Sequence, residues 1–380
     1  MDRRSFLLGC SLAASPLVTP ISLAAVPGDR RLVVVILRGA MDGLDALQPF
    51  GDPALRLLRP DFAIGPGAGA VALTDFHAMH ETMAPLLPWW REGSLGFVQA
   101  VSTPYRDGRS HFDGQDILEA GTPGMPPAAR RDGWLNRLVG VLPGAHGRTA
   151  FAVGRDHMDI LAGPAPHARW APDAQLEVTD PTADLLRHVY HDDALFRASA
   201  TEALALSGDP SDPRDREATF RFAAEQLRGD TRIATMSLGG WDTHQSQIGG
   251  SGRFAQTMRK LVAGLAVLRE TLGPDWGNTA VLAVTEFGRT VAQNGTRGTD
   301  HGTGGAAILV GGALRGGRVW GDWPGLDGGD LVDGRDLRPT RDVRAYAAWL
   351  LAGQFGLDRA TLEGTIFPGL EMGPDPRLLA

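Results

Sequence analysis

Cysteine is all but missing from this 380-residue chain, and Cys10 is the single one. It falls in a leader segment described below, so neither a disulfide framework nor thiol chemistry is expected of the mature protein. Lysine is as scarce: Lys260 is the only one among 37 basic residues, and the rest are arginine, the better clamp for anions. Those 37 cations face 44 Asp and Glu, for a formal net charge of −7. The chain therefore lacks the basic footprint that nucleic-acid binding requires. After residue 25 no uninterrupted apolar run approaches the roughly 18 residues that span a bilayer, so no transmembrane segment is expected in the mature chain. Also missing are a Gly-x-Gly-x-x-Gly turn after the first apolar run and a Gly-x-Ser-x-Gly elbow, which removes support for a dinucleotide site or an α/β-hydrolase nucleophile. Glycine (50) and proline (26) are plentiful but follow no repeat, and so mark loops and turns.

What is present begins with an address. Arg3-Arg4-Ser5-Phe6-Leu7 is an arginine pair followed by the uncharged, weakly apolar stretch 7–25, and Ser22-Leu23-Ala24 carries small residues where a signal peptidase cuts. Residues 1–25 read as a twin-arginine signal peptide, which implies the twin-arginine export machinery as a partner and a periplasmic or secreted mature protein.

Behind the leader, Arg31 to Leu37 is continuously apolar and β-branched, as a parallel strand buried on both faces should be. Leu95–Val101, Ile233–Leu238, Thr279–Thr285 and Ala306–Val310 are further strands. Between them, Arg253 to Leu272 places Phe254, Met258, Leu261, Leu265, Leu268 and Leu272 at helical spacing. Strands alternating with helices predict an α/β fold, a doubly wound and mostly parallel sheet with helices on both faces. A single domain is expected over 26–380, with a mostly helical insertion around 155–230.

In such sheets sites form beyond the C-terminal strand ends, and polar residues gather there. Asp42 follows the first strand, Ser102 to His111 the second, Asp242 and His244 the third, and Glu286 and Arg289 the fourth; Asp300-His301 precede the fifth. Asp, Glu and His are a ligand set for divalent cations. Taken singly, Asp42 is equally a turn residue, and Asp242 and His244 equally helix-capping loop residues. His188 and His191 read as an exposed helical face.

The motifs LRGAMDGLDALQPFGDP, TPYRDGRSHFDGQD, DGWLNRL, LGGWDTH, TEFGRTVAQNG and TDHGTGGAAILVGG resemble a secreted bacterial family catalogued as domain of unknown function 1501, itself similar to the alkaline phosphatase-like superfamily of phosphatases and sulfatases. The resemblance implies an alkaline phosphatase-like fold and a divalent metal ion (zinc, manganese or calcium, one per chain) held by Asp42, Asp242, His244, Glu286 and His301. Phosphatases of that superfamily follow the acid at Glu286 directly with a histidine, whereas Phe287 stands here.

The resemblance also implies a nucleophile near the start of the helix after the second strand. Ser110 fits that place and fits equally the N-cap of a helix His111–Ala120; Ser102, in Ser102-Thr103-Pro104-Tyr105-Arg106, is its rival. The expected catalytic group is Ser110 with Arg109 and His111, and Arg289 and Ser102 are expected to contact substrate. Two functions follow. One is an exported metal-dependent hydrolase of phosphate or sulfate esters, acting on an anionic ester. The other is a non-catalytic protein on the same fold that binds a partner or an extracellular polymer.

Overall fold

A computed structural model of the chain describes residues 26, 28–106, 108–125, 132–171 and 217–380. The leader, most of the expected helical insertion, and His188 and His191 lie outside the described residues. The core is a nine-stranded sheet. Its strands are β1 (Arg31–Arg38), β2 (Leu95–Ser102), β3 (Ala150–Val153), β4 (Ala168–Trp170), β5 (Ile233–Gly239), β6 (Thr279–Val284), β7 (Gly305–Val310), β8 (Val319–Trp320) and β9 (Arg341–Asp342). They lie in the order β8-β2-β7-β6-β1-β5-β3-β4, with β9 also paired to β2.

β1 is the centre of this sheet because both of its faces are apolar. Leu32, Val34 and Ile36 pack into one core with α2 (Trp134–Val141) and α5 (Val343–Phe355). Val33, Val35 and Leu37 pack into the other with α3 (Ala218–Leu227) and α4 (Arg253–Leu272). The six-residue stripe of α4 is buried throughout, and the helix has the bounds its spacing predicts. α1 (His111–Ala120) also starts and stops as expected, with Ser110 as N-cap and Gly121 as the left-handed C-cap.

One strand departs from the parallel rule, and the departure builds the site. β7 runs antiparallel to both β6 and β2. Its N-terminal end therefore lies where the other strands have their C-terminal ends. That reversal carries the preceding loop, with Asp300 and His301, to the same edge as the loops after β1, β5 and β6. The loops pack tightly: a Cβ on Gly39 would meet the Asp242 backbone nitrogen at 2.6 Å, and Gly39 has φ +116°. Glycine is the one residue that suits both demands.

Candidate metal centre

Four side chains from three chain segments meet at this edge. Asp242 and His244 follow β5, His301 precedes β7, and His111 opens α1. Around Asp242 Oδ1 stand His244 Nε2 at 3.1 Å, His301 Nε2 at 3.3 Å and His111 Nε2 at 3.5 Å. The two nitrogens of His244 and His301 are 3.0 Å apart. Among the described residues, His111, Asp242 and His301 are the one group of three whose ligand atoms all lie within 4.8 Å of one another. His244 closes on two of that three.

The tautomers follow from the far side of each ring. His111 Nδ1 is 2.8 Å from Glu286 Oε1, His244 Nδ1 is 2.9 Å from Asp300 Oδ1, and His301 Nδ1 is 2.8 Å from the Arg109 carbonyl. Each of these partners accepts, so each Nδ1 carries the hydrogen and each Nε2 presents a lone pair. Three lone pairs thus converge on a carboxylate oxygen whose one donor is Arg289 Nη2 at 2.6 Å, with no hydrogen among the three nitrogens to share. His111 Nε2 is buried and has no hydrogen-bond partner among the described residues, which costs stability unless something fills the gap. A single proton could bridge one pair but could not satisfy all three nitrogens. A cation can. With zinc–ligand distances of about 2.0–2.1 Å, tetrahedral ligands lie about 3.3 Å from one another, close to the separations just given. The residues present fit a metal ion.

The acidic partner of His111 is itself fixed. Glu286 is fully buried and accepts from Gly39 N at 2.9 Å, Gln115 Nε2 at 3.1 Å and Thr285 Oγ1 at 2.9 Å. Burial pushes the Glu286 carboxyl up, but His111 and these donors override it and hold it below the usual range. The Glu286 hydrogen bond in turn raises His111, while burial lowers His301. At Asp242, burial would raise the carboxyl; the Arg289 guanidinium, with His301 and His244, holds it at about 2. Asp242 is therefore ionised at any ordinary pH.

Two expected ligands take other places. Asp42 caps the short helix Gly43–Ala46 through Leu44 N, and its carboxylate is closed in by Arg59 at 2.8 and 3.1 Å and Gln247 Nε2 at 2.7 Å. Protein donors use both of its oxygens and only 1% of its side chain is exposed, so it offers nothing to an ion. Glu286 stands behind His111, not beside Asp242. Conversely His111, expected to act on substrate, is one of the three residues whose ligand atoms cluster. Phe287 takes no ligand role; it is buried and stacks against His111 with ring centroids 5.3 Å apart, and so serves as the wall that sets the imidazole plane.

The expected substrate contacts are also redistributed. Arg289 is buried, and its guanidinium donates to the carbonyls of Gly39, Ala40, Trp241 and Thr299 and to Asp242 Oδ1. It ties three loops together and is not offered to a ligand. Ser102 is buried at the end of β2, with its hydroxyl given to the Thr103 carbonyl and accepting from Arg106. Ser110 sits one residue before His111, and its hydroxyl accepts a long 3.4 Å bond from Asp113 N. Arg109 is 43% exposed and pairs with Asp336. The roles of Asp300, Arg335 and Asp336 carry no sequence signal beyond the proximity of Asp300 to His301.

The chain belongs to the family described as protein of unknown function (DUF1501), whose model matches residues 99–366. No curated protein matches it. Among solved structures, Ps i-CgsB in complex with k-i-k-neocarrahexaose is 9% identical, with a TM-score of 0.43 over 88% of this chain and 74% of that one. The PsFucS1 sulfatase from Pseudoalteromonas sp. is 13% identical, with a TM-score of 0.40 over 92% and 74%. A protein in the alkaline phosphatase superfamily from Vibrio parahaemolyticus is 11% identical, with a TM-score of 0.35 over 82% and 69%. At these TM-scores the likenesses carry no argument about activity. No helix among the described residues is long and apolar enough to cross a membrane.

Proposed function

We propose that this family member is a metal-dependent hydrolase of phosphate or sulfate esters, exported by the twin-arginine route to the periplasm or beyond. The observation that carries the proposal is the convergence of three Nε2 lone pairs on Asp242 Oδ1, each imidazole locked from behind by an acceptor. One ion held by His111, Asp242, His244 and His301 is the reading. Three imidazoles and a carboxylate suit zinc and argue against calcium, which takes oxygen ligands. When bound, such an ion acts as a Lewis acid toward an ester oxygen or a water.

The chain's own residues supply orientation. Glu286, Asp300 and the Arg109 carbonyl fix the three rings, as acceptors behind metal-ligating histidines generally do. Arg289 keeps Asp242 ionised and anchored. Ser110, at the N-terminus of the ten-residue α1, is the proposed nucleophile, placed where the helix dipole favours an anion. The test is hydrolysis of aryl phosphate and aryl sulfate esters by the mature chain, stripped with chelator and then restored with zinc or manganese. Turnover that returns with metal and vanishes in Ser110→Ala supports the full reading. Tight metal binding with silence on every ester moves the chain to the alternative, a non-catalytic binder of an extracellular polymer.

A further inference from the structure

We propose that Arg109 and Arg335, held together on the buried carboxylate of Asp336, form an oxyanion subsite beside His301 that takes the charged group of a sulfate or phosphate ester. The proposal deepens the reading of the metal centre and rests on it for the reaction, though not for the subsite itself.

The construction is specific. Asp336 is fully buried. One of its oxygens accepts from Arg335 Nη1 at 2.8 Å, the other from Arg109 Nη2 at 3.3 Å and Thr303 Oγ1 at 2.9 Å. The same two arginines hold His301 from both sides. The Arg109 carbonyl receives its Nδ1–H at 2.8 Å, and Arg335 Nη1 donates to its carbonyl oxygen at 3.0 Å. The guanidinium groups are thus fixed next to a metal-ligating ring by a carboxylate that is out of reach of solvent.

Among the described residues their charge is only half neutralised, since two guanidinium groups share one carboxylate. Their donors are only partly used. Among the described residues Arg109 donates through Nη2 alone and Arg335 through Nη1 alone. Among the described residues no acceptor engages Nε or the second terminal nitrogen of either. The two side chains are 43% and 37% exposed, whereas Arg289 is buried with carbonyls around it. Arg109 also holds φ +49°, a left-handed conformation that a non-glycine residue adopts at a cost. That turn lets its carbonyl reach His301 while its side chain reaches Asp336. Paired guanidinium forks on a fixed base match the oxygens of a tetrahedral anion.

The test is calorimetric titration of inorganic phosphate, and separately of sulfate, into the mature chain with and without zinc. Wild type is compared with Arg335→Gln and Arg335→Lys, and zinc affinity is measured for each. The expected result is oxyanion affinity lowered about tenfold or more in Arg335→Gln, partly restored in Arg335→Lys, with zinc affinity changed far less than oxyanion affinity. Stronger binding of phosphate than sulfate, or the reverse, identifies the ester class. Wild-type oxyanion affinity in Arg335→Gln overturns the subsite, as does a zinc-loaded wild type that binds neither anion. Parallel loss of zinc and phosphate also overturns it, because Arg335 would then act only by positioning His301. Arg335-dependent phosphate binding in a chain that takes no zinc keeps the subsite and removes the metal reading.

Discussion

Asp42 and Asp242 are the same residue type at equivalent points, each a few residues past a central parallel strand, yet they have opposite surroundings. Asp42 is 1% exposed and faces donors: the Arg59 guanidinium, the Gln247 amide and the Leu44 N–H. Asp242 is 47% exposed and faces one guanidinium and three imidazole nitrogens whose hydrogens are engaged elsewhere. The first carboxylate is satisfied by the protein and belongs to the fold. The second has one protein donor, Arg289 Nη2, and three imidazole acceptors around the same oxygen, an arrangement that a cation would complete. Whether a carboxylate is structural or metal-binding is thus decided by the hydrogen count of its neighbours, not by its place after a strand.

That contrast can be broken at either end. The largest effect is expected at Arg59. Arg59→Met leaves Asp42 buried without its counter-ion, and removing one partner of such a pair costs about 3–5 kcal/mol. Chemical denaturation should show that loss, with metal affinity of the folded fraction intact. Next comes Asp242→Asn, which keeps size and removes the charge that the imidazoles surround. Zinc affinity should fall by about two orders of magnitude, roughly 2.8 kcal/mol at about 1.4 kcal/mol per tenfold. Stability of the metal-free chain should change little, because the side chain is half-exposed.

Glu286→Gln sharpens the difference between a ligand and the residue behind it. The amide can still accept from His111 Nδ1 but no longer supplies charge, so zinc affinity should fall by about tenfold, the low end of the usual cost of losing an outer partner. An effect as large as that of Asp242→Asn would make Glu286 a ligand instead. The smallest effect belongs to Ser110→Ala. Loss of an N-cap costs about 1 kcal/mol, and the long bond here places it at or below that figure. A thermal midpoint shift no larger than a few degrees, with zinc affinity unchanged, is expected.

Much of this was legible in the sequence. The buried run of β1, the stripe of α4 and the caps of α1 follow from local periodicity and need no distant information. That Asp242, His244 and His301 would cluster was legible because they lie at strand–loop junctions, where α/β sheets gather their polar residues. The exchange of Asp42 and Glu286 for His111 was not. Asp42 is withdrawn by Arg59 and by Gln247, 205 positions along the chain, and His111 is oriented by Glu286, 175 positions away. No spacing rule reaches that far. Arg289 and Arg335 likewise look alike in sequence, and only the fold buries one among carbonyls and leaves the other half-exposed on Asp336.

The central claim is that the metal belongs to Asp242 and not to Asp42. Its most direct test is the zinc stoichiometry and affinity of three folded chains: wild type, Asp242→Asn, and the charge-balanced double variant Asp42→Asn with Arg59→Gln. The account predicts one tight zinc per wild-type chain, a loss of about a hundredfold in Asp242→Asn, and retention in the double variant. Zinc kept by Asp242→Asn and lost by the double variant would contradict it, and would return the site to the end of the first strand.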